Sequence, residues 1–549
     1  MSSQIPEWFA QAKVGMFYHF GLYTLLGGNE NQVRQTEGKE SYRKLLGQFN
    51  PTRFNADEWV ECAVSMGARY IVPTAKHAEG FCLWDSKLTD IKSTNTPFGR
   101  DIIAELSASC AKKGVQFCFY FNMETWLNDG DDIWNRRGMG YADFFEAQLT
   151  ELLTGYGPVG LIWFDHVHPE IPPERMRQII ATIKRLQPGC LVNNRGIHVN
   201  AHYIGDFITP ERLIPHSTDA NKEFVECCDA MGVHSWGFFN GETFWSTSEL
   251  AKRVSRCRSE GYNYLLNVEP TSEGNIRPEC VLRARGLGDW IAKNRSAVDA
   301  GRCMLVPLDH IEHQPPVGVS TLAGNTLHLH LHLWPTADEV LVKASGKPLS
   351  ASIDGQRLSV NADDKGIRIG GLPADMPAGN APWIVTVEFS SAPAAMPEAP
   401  CKVIEAVEGE SLALLPLDAA LDAANGVVFP KINRFANGNI SIGSLHRVGD
   451  TLTWHVNSPA GGEYEVYMNL GSVQSQADAE FELSSGLSAL TGRTWLTGHW
   501  SLPVRKPVGR LRLACGENRI VLRVTDAPHE AFSDVHGITL ILAAPAGVE

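Results

Sequence analysis

Roughly the first 300 residues alternate short apolar runs with longer amphipathic stretches, and this alternation constrains the fold more than any other feature. The runs are VGMFYHF (14–20), RYIVPTA (69–75), VQFCFYF (115–121), VGLIWFD (159–165), CLVNNR (190–195), GDFIT (205–209), HSWGFF (234–239) and YNYLLNV (262–268). Short, continuous apolar runs of this kind read as strands buried on both faces, as in parallel sheets. Helical patterns lie between most of them. FNADEWVECAVSMG carries Asn55 as an N-cap, and GRDIIAELSASCAKKG, YADFFEAQLTELLTGYG and PPERMRQIIATIKRLQPG read the same way, most ending in Gly. Helix, Gly and buried strand, repeated about eight times, predict βαβ units closing into a (β/α)8, TIM-like barrel of the α/β class. A doubly wound open sheet fits less well, because no Gly-rich phosphate fingerprint follows the first strand.

Near residue 300 the helical pattern stops. NTLHLHLHLW (325–334) and PWIVTVEFS (382–390) alternate like half-buried strands, and SSAPAAMPEAP (390–400) reads as a linker. A second strand-rich block follows, with DTLTWHVNSPAGGEYEVYMNLG (450–471) and GENRIVLRVTDAP (516–528). The expected organisation is a barrel over 1–302, a β-sandwich over 303–395 and a second sandwich or jelly roll over 396–549. The HLHLH run at 328–332 alternates as a strand does, so it reads as a polar strand face rather than a metal tract. Trp454 lies in mid-strand and reads as core, while Trp495 and Trp500 are open to stacking on sugar or to core packing.

Charge narrows the partners. With 48 Lys+Arg against 62 Asp+Glu the net charge is -14, which gives no general attraction for phosphate backbones and argues against nucleic acid. No stretch of 18 or more apolar residues is present, so no membrane span is expected. The opening MSSQIPEWFAQAK lacks an apolar signal core, and the 12 Cys include no CxxC pair. Buried free thiols and a cytoplasmic, reducing location are the expectation.

In a (β/α)8 barrel the chemistry sits at the C-terminal strand ends. Here those ends carry His19, then Lys76 and His77, then Tyr120 with Glu124 and Trp126 just beyond, then Asp165, Arg195, and Asp206 with Glu211. No HExxH and no GxSxG element is present, and no metal or other cofactor is expected. Paired carboxylates among hydroxyl-binding His and Arg suit glycoside hydrolysis: one attacks the anomeric carbon or activates water, the other protonates the leaving oxygen. Asp165 closes the apolar run GLIWFD and is the nucleophile candidate, with helix capping as its plainer role. Glu211 in DFITPER and Glu226 in FVECC are acid candidates, each equally readable as a salt-bridging residue. Arg195 has pairing with Asp206 as its plainer role.

These segments resemble the α-L-fucosidases of glycoside hydrolase family 29 over about residues 6–300. The likeness is carried by AKVGMFYHFGLYT, GARYIVPTAKHAEGFCLWDSKLTD, GRDIIAEL, GLIWFD, VNNRG, GDFITPER, SWGF and NYLLNVEPTSEGNI. It implies a (β/α)8 barrel followed by a β-sandwich, and retention of configuration by double displacement without a cofactor. It assigns Asp165 as nucleophile, and places His19, His77, Tyr120, Arg195 and the Trp236 of SWGF around the sugar, with Glu40 in KESY touching a hydroxyl. The acid/base resembles Glu211 in some members and Glu226 in others, and TPER directly after a strand favours Glu211. The chain departs from the family pattern at Phe20, Ser41 and Ala78, residues the resemblance places in the sugar pocket. A terminal α-L-fucoside is therefore the expected substrate, with an α-L-galactoside or another L-sugar as the alternative, or sugar binding without turnover. The last block resembles sugar-binding jelly rolls of carbohydrate-binding modules. Bracing the barrel and making a homo-oligomer contact are its other roles.

Overall fold

The structure is a computed structural model. It describes residues 5–28, 30, 38–127, 134, 137–196, 205–212, 214, 224–308, 317–395, 403–407, 411–422, 431–434, 439–443, 445, 448–459, 461–527 and 532–543. The strands of the first part are β1 (Val14–Tyr18), β2 (Tyr70–Lys76), β3 (Gln116–Phe117), β4 (Phe119–Asn122), β5 (Leu161–Asp165), β6 (Leu191–Val192), β7 (Phe207–Ile208), β8 (Phe224–Ala230) and β9 (Asn263–Val268). Their order is β6-β5-β4-β2-β1-β9-β8-β7, with β3 on β2, and the pairings are parallel. A parallel bridge from Asn193 to Phe207, and the Asp206 N–H donating to the Val192 carbonyl at 2.8 Å, join β6 to β7 and close the barrel.

Helices stand between the strands for local reasons. Over Ala56–Met66 the Asn55 carboxamide accepts the Asp57 and Glu58 N–H groups, and Gly67 ends the helix at φ 87°. Buried positions recur along one face, at Trp59, Val60, Ala63 and Met66. Ile102–Lys113 has the same plan, with Asp101 as cap and Gly114 as stop. The short helix Glu7–Ala12 plugs the floor of the barrel with Phe9, whose ring lies 5.1 Å from Phe207 and 5.7 Å from Tyr70. A β-carbon on Gly15 would stand 2.2 Å from the Tyr70 ring, so only glycine lets that tyrosine cross the interior.

The predicted strand at 234–239 is absent: the residues around it form a loop, and the seventh strand position is taken by Phe224–Ala230. The N–H groups of His234 to Gly237 find no neighbouring strand because two carboxylates, Glu242 and Glu30, accept them. The sixth predicted strand shortens to Phe207–Ile208, and CLVNNR to Leu191–Val192 followed by a single turn at Asn194–Gly196.

The described residues fall into two compact units, and the second includes those from Val403 onward. In the first unit the barrel is followed by an antiparallel sheet system that begins at Gly301–Cys303. On the strand Thr326–Leu331, Leu327, Leu329 and Leu331 fill the sandwich core. The alternate histidines His328 and His330 are also buried rather than solvent-facing. His330 meets the Thr321 hydroxyl at 2.9 Å, and His332 meets Ser255 of the helix Thr247–Ser259 at 3.0 Å. Of the expected linker, Ala394–Ala395 pairs with Ala344–Ser345, and residues 396–400 lie outside the described residues. Among its described residues the second unit contains two six-stranded sheets around a core that includes Trp454, whose indole donates to the Leu415 carbonyl at 2.9 Å. Trp495 packs at the edge of that core and Trp500 is half exposed. Among the described residues no helix is long and apolar enough to cross a membrane.

Candidate active site

Residues two apart on a barrel strand point the same way, so an inward apolar residue is followed by an inward group at the mouth. Phe17 precedes His19, Cys118 precedes Tyr120, and Trp163 precedes Asp165, the first of each pair lying in the barrel core. Above that core opens a cavity of about 150 Å³. An apolar cavity of this size is known to take one six-membered ring. His19, His77, Tyr120, Asp165, Arg195, Glu211 and Trp236 line it, and Glu30, His166, Phe17, Trp163 and Cys228 complete the wall.

Asp165 is the hub. Its Oδ2 accepts the Tyr120 hydroxyl at 2.9 Å, and its Oδ1 lies 3.3 Å from Arg195 Nη1. The same Nη1 donates to Glu211 Oε2 at 2.9 Å, so one guanidinium nitrogen touches both carboxylates. Burial alone would raise the Asp165 pKa, but Arg195, His166, the Tyr120 hydroxyl and His77 outweigh it and hold the group below its ordinary value. Asp165 is thus kept ionised. Arg195 is itself fixed by the Thr209 hydroxyl at 3.1 Å and the Thr209 carbonyl at 3.0 Å, and it lies over the Trp163 ring at 4.5 Å. It does not pair with Asp206, which instead holds Lys184 at 2.6 Å.

The closed end is built for hydroxyl groups. Asn267 Nδ2 donates to the Trp236 carbonyl at 2.7 Å, which turns its Oδ1 toward His19 Nδ1 at 2.7 Å. Burial, with His77 beside it, lowers the His19 pKa to about 4. The ring is therefore neutral near pH 7, Nδ1 donates, and Nε2 is left as an acceptor. His77 stacks on Tyr120 with ring centroids 5.5 Å apart. Glu30 accepts the Ser235 hydroxyl at 2.5 Å and the Trp236 and Gly237 N–H groups at 3.2 Å. Burial raises its pKa, yet the Ser235 and backbone hydrogen bonds and His19 bring it below the ordinary value, giving a third carboxylate in the wall beside Asp165 and Glu211.

Glu226, Phe20 and Glu40, expected at the site, lie elsewhere. Glu226 sits in mid-strand below the cavity, fully buried, where it accepts the Tyr70 hydroxyl and, at 3.1 Å, the Trp163 indole N–H. Phe20 points into the barrel wall against Phe49 and Trp59. Glu40 stands on the short helix Lys39–Arg43 with its side chain 93% exposed, facing Lys44 at 3.8 Å. Glu30 rather than Glu40 reaches the cavity, and it comes from the GGNEN segment eleven residues beyond His19. Extending the strand-end rule into the sequence that follows β1 finds it. His166 follows Asp165 directly, while Trp163, Phe17 and Cys228 are inward residues one step below the mouth and read simply as apolar core.

A closed-ended pocket holding two carboxylates bridged by an arginine, at the C-terminal rim of a parallel barrel, is the equipment of a glycoside hydrolase. The comparisons agree. The family model described as Alpha-L-fucosidase matches residues 1–296, and the chain belongs to that family. It is 28% identical over 382 residues to the tissue α-L-fucosidase of Mus musculus, covering 64% of this chain and 83% of the mouse chain. A family 29 α-L-fucosidase of Bacteroides thetaiotaomicron, solved as a trapped covalent intermediate with 2-fluoro-fucosyl fluoride, is 25% identical. It superposes with a TM-score of 0.61 over 70% of this chain and 95% of its own. The α-L-fucosidase of Vibrio sp. strain EJY3 shares the fold over 97% of both chains, with a TM-score of 0.64 at 20% identity.

Proposed function

We propose that the protein is a retaining, exo-acting α-L-fucosidase in which Asp165 is the nucleophile and Glu211 the acid/base. Asp165 attacks the anomeric carbon while Glu211 protonates the leaving oxygen. The same Glu211 then deprotonates the water that releases the sugar from Asp165. The observation that carries this reading is the Arg195 bridge. The facing oxygens of Asp165 and Glu211 can be no farther apart than the sum of its two arms, about 6.2 Å. A double displacement uses such a close pair, with carboxyl groups roughly 5–5.5 Å apart, where an inverting enzyme separates them by roughly 6.5–9.5 Å to seat a water. The choice of Glu211 over Glu226 rests on position: Glu211 reaches the cavity and its side chain is 42% exposed, whereas Glu226 is sealed beneath Trp163.

The reading of an altered sugar loses its support. Phe20 and Ala78 are fully buried outside the cavity lining, and Ser41 lies on the exposed turn with Glu40. The test is hydrolysis of 4-nitrophenyl α-L-fucoside beside the α-L-galactoside, with Asp165→Asn and Glu211→Gln. The fucoside should be preferred, with kcat about 10³-fold or more lower in Asp165→Asn and roughly 10²–10⁴-fold lower in Glu211→Gln. Preference for the galactoside, or full activity in Asp165→Asn, contradicts the proposal. Binding without turnover would make the protein a sugar-binding module.

A further inference from the structure

The residue after Asp165 is bent into the left-handed region: His166 has φ 58°. That conformation is disfavoured for any residue with a β-carbon, and glycine escapes the penalty. The chain nonetheless places an imidazole there, and the imidazole lines the cavity. Its Nε2 lies 3.9 Å from Asp165 Oδ2, and its Nδ1 lies 3.4 Å from Glu124 Oε1 and 3.5 Å from Asn122 Nδ2. Asn122 is itself oriented: its Oδ1 accepts the Glu124 N–H at 2.8 Å and its Nδ2 donates to the Tyr120 hydroxyl at 2.8 Å. The ring is therefore braced by groups from the end of β4 and the turn beyond it.

His166 and Glu124 differ from the sugar-facing groups in exposure. Their side chains are 39% and 36% exposed, whereas His19, Glu30 and Tyr120 are 5%, 2% and 1%. A terminal sugar occupies the closed end, so the group it leaves lies at the open end. There Glu211 reaches Asp165 through Arg195 on the Oδ1 side, and His166 approaches from the Oδ2 side. The two flank the mouth.

We propose that His166, held by Glu124, binds hydroxyl groups of the leaving sugar, so that the site favours a saccharide aglycone over an aryl one. The inference rests on the α-L-fucosidase reading above. An imidazole and a carboxylate side by side offer a donor and an acceptor to neighbouring hydroxyls, which an aryl group lacks.

The test compares kcat/KM for a disaccharide with a terminal α-L-fucosyl unit and for 4-nitrophenyl α-L-fucoside, in the wild type, His166→Gly and Glu124→Gln. Asp165 serves both substrates, so the ratio of the two values isolates the leaving side. That ratio should fall roughly tenfold in His166→Gly, the worth of one hydrogen bond, and by less in Glu124→Gln. His166→Gly also relieves the backbone, which offsets the contacts it removes, and a melting temperature equal to the wild type's shows that its loss does not come from misfolding. An unchanged ratio overturns the proposal, whether both activities fall together or neither does. A wild type that hydrolyses neither substrate refutes the α-L-fucosidase reading itself, and is seen before any variant is made.

Discussion

Replacing Arg195 by Met should move the acid limb of the pH–rate profile upward. The guanidinium lies 3.3 Å from Asp165. At an effective dielectric of about 20, opposite unit charges at that distance attract by about 5 kcal/mol. At about 1.4 kcal/mol per pKa unit this is between three and four units. Water entering the vacated space recovers part of it, and single opposite charges in proteins shift carboxyl groups by roughly 1–3 units. The direction is fixed. Without Arg195, burial is the largest remaining influence on Asp165 and favours the protonated form. The nucleophile must be ionised to attack, so a higher pH is needed for the same rate. An upward shift of about 2 units in the acid limb of kcat/KM is expected, measured on 4-nitrophenyl α-L-fucoside. The plateau should fall as well, since Arg195 holds Glu211. If the acid limb of the variant stays within about half a unit of the wild type, Arg195 does not set the charge on Asp165 and the electrostatic account is wrong.

Two further substitutions probe the shell around the site. Burial pushes the Glu226 carboxyl up to about 7 from an ordinary 4.5, so between those values the folded chain keeps a proton that the unfolded chain has released. Stability should fall as pH rises through that window, by up to about 3 kcal/mol, and Glu226→Gln, neutral at every pH, should escape the loss. The melting difference between variant and wild type should therefore grow in the variant's favour from pH 4.5 to pH 7, and a pH-independent difference would show that Glu226 is already ionised in the folded chain. Glu242→Gln should raise KM roughly tenfold or more with a smaller change in kcat. Its carboxylate accepts the N–H groups of Val233, His234, Ser235 and Thr243, and so shapes the loop that carries Trp236 and grips Glu30. Equal losses in KM and kcat would place its effect on the carboxylate pair instead.

The period of the apolar runs made the barrel legible, because a buried strand and its amphipathic helix must alternate in sequence as they do in space. The strand-end rule found His19, His77, Tyr120, Asp165, Arg195 and Glu211 for the same reason. It failed where the backbone leaves regular structure. HSWGFF has the composition of a strand, yet the His234 and Ser235 N–H groups are claimed by the nearby Glu242 and those of Trp236 and Gly237 by the distant Glu30, side-chain partners that the apolar pattern does not encode. Glu226 is ambiguous in sequence because FVECC gives no sign of which face turns inward, nor of the Tyr70 and Trp163 groups that seal it. KESY gives a local match at Glu40, whereas Glu30 stands ten residues earlier in the chain.

The barrel wall is thinnest between β6 and β7, two residues each, where β8 and β9 are paired across five. Arg195 lies on that join: its backbone follows β6, and its guanidinium grips Thr209 just past β7. The group that organises the carboxylates is thus also a clasp on the seam. Segments with few hydrogen bonds open well before the whole fold does. Parting the seam would scatter Asp165, Arg195 and Glu211 while the remaining strands stay paired. Inactivation by mild heat or denaturant should therefore run ahead of the loss of barrel structure. A sugar lodged against Asp165 should work in the opposite sense, protecting the Asp206 and Thr209 amides from exchange with solvent because occupying the pocket and latching the wall draw on the same arginine.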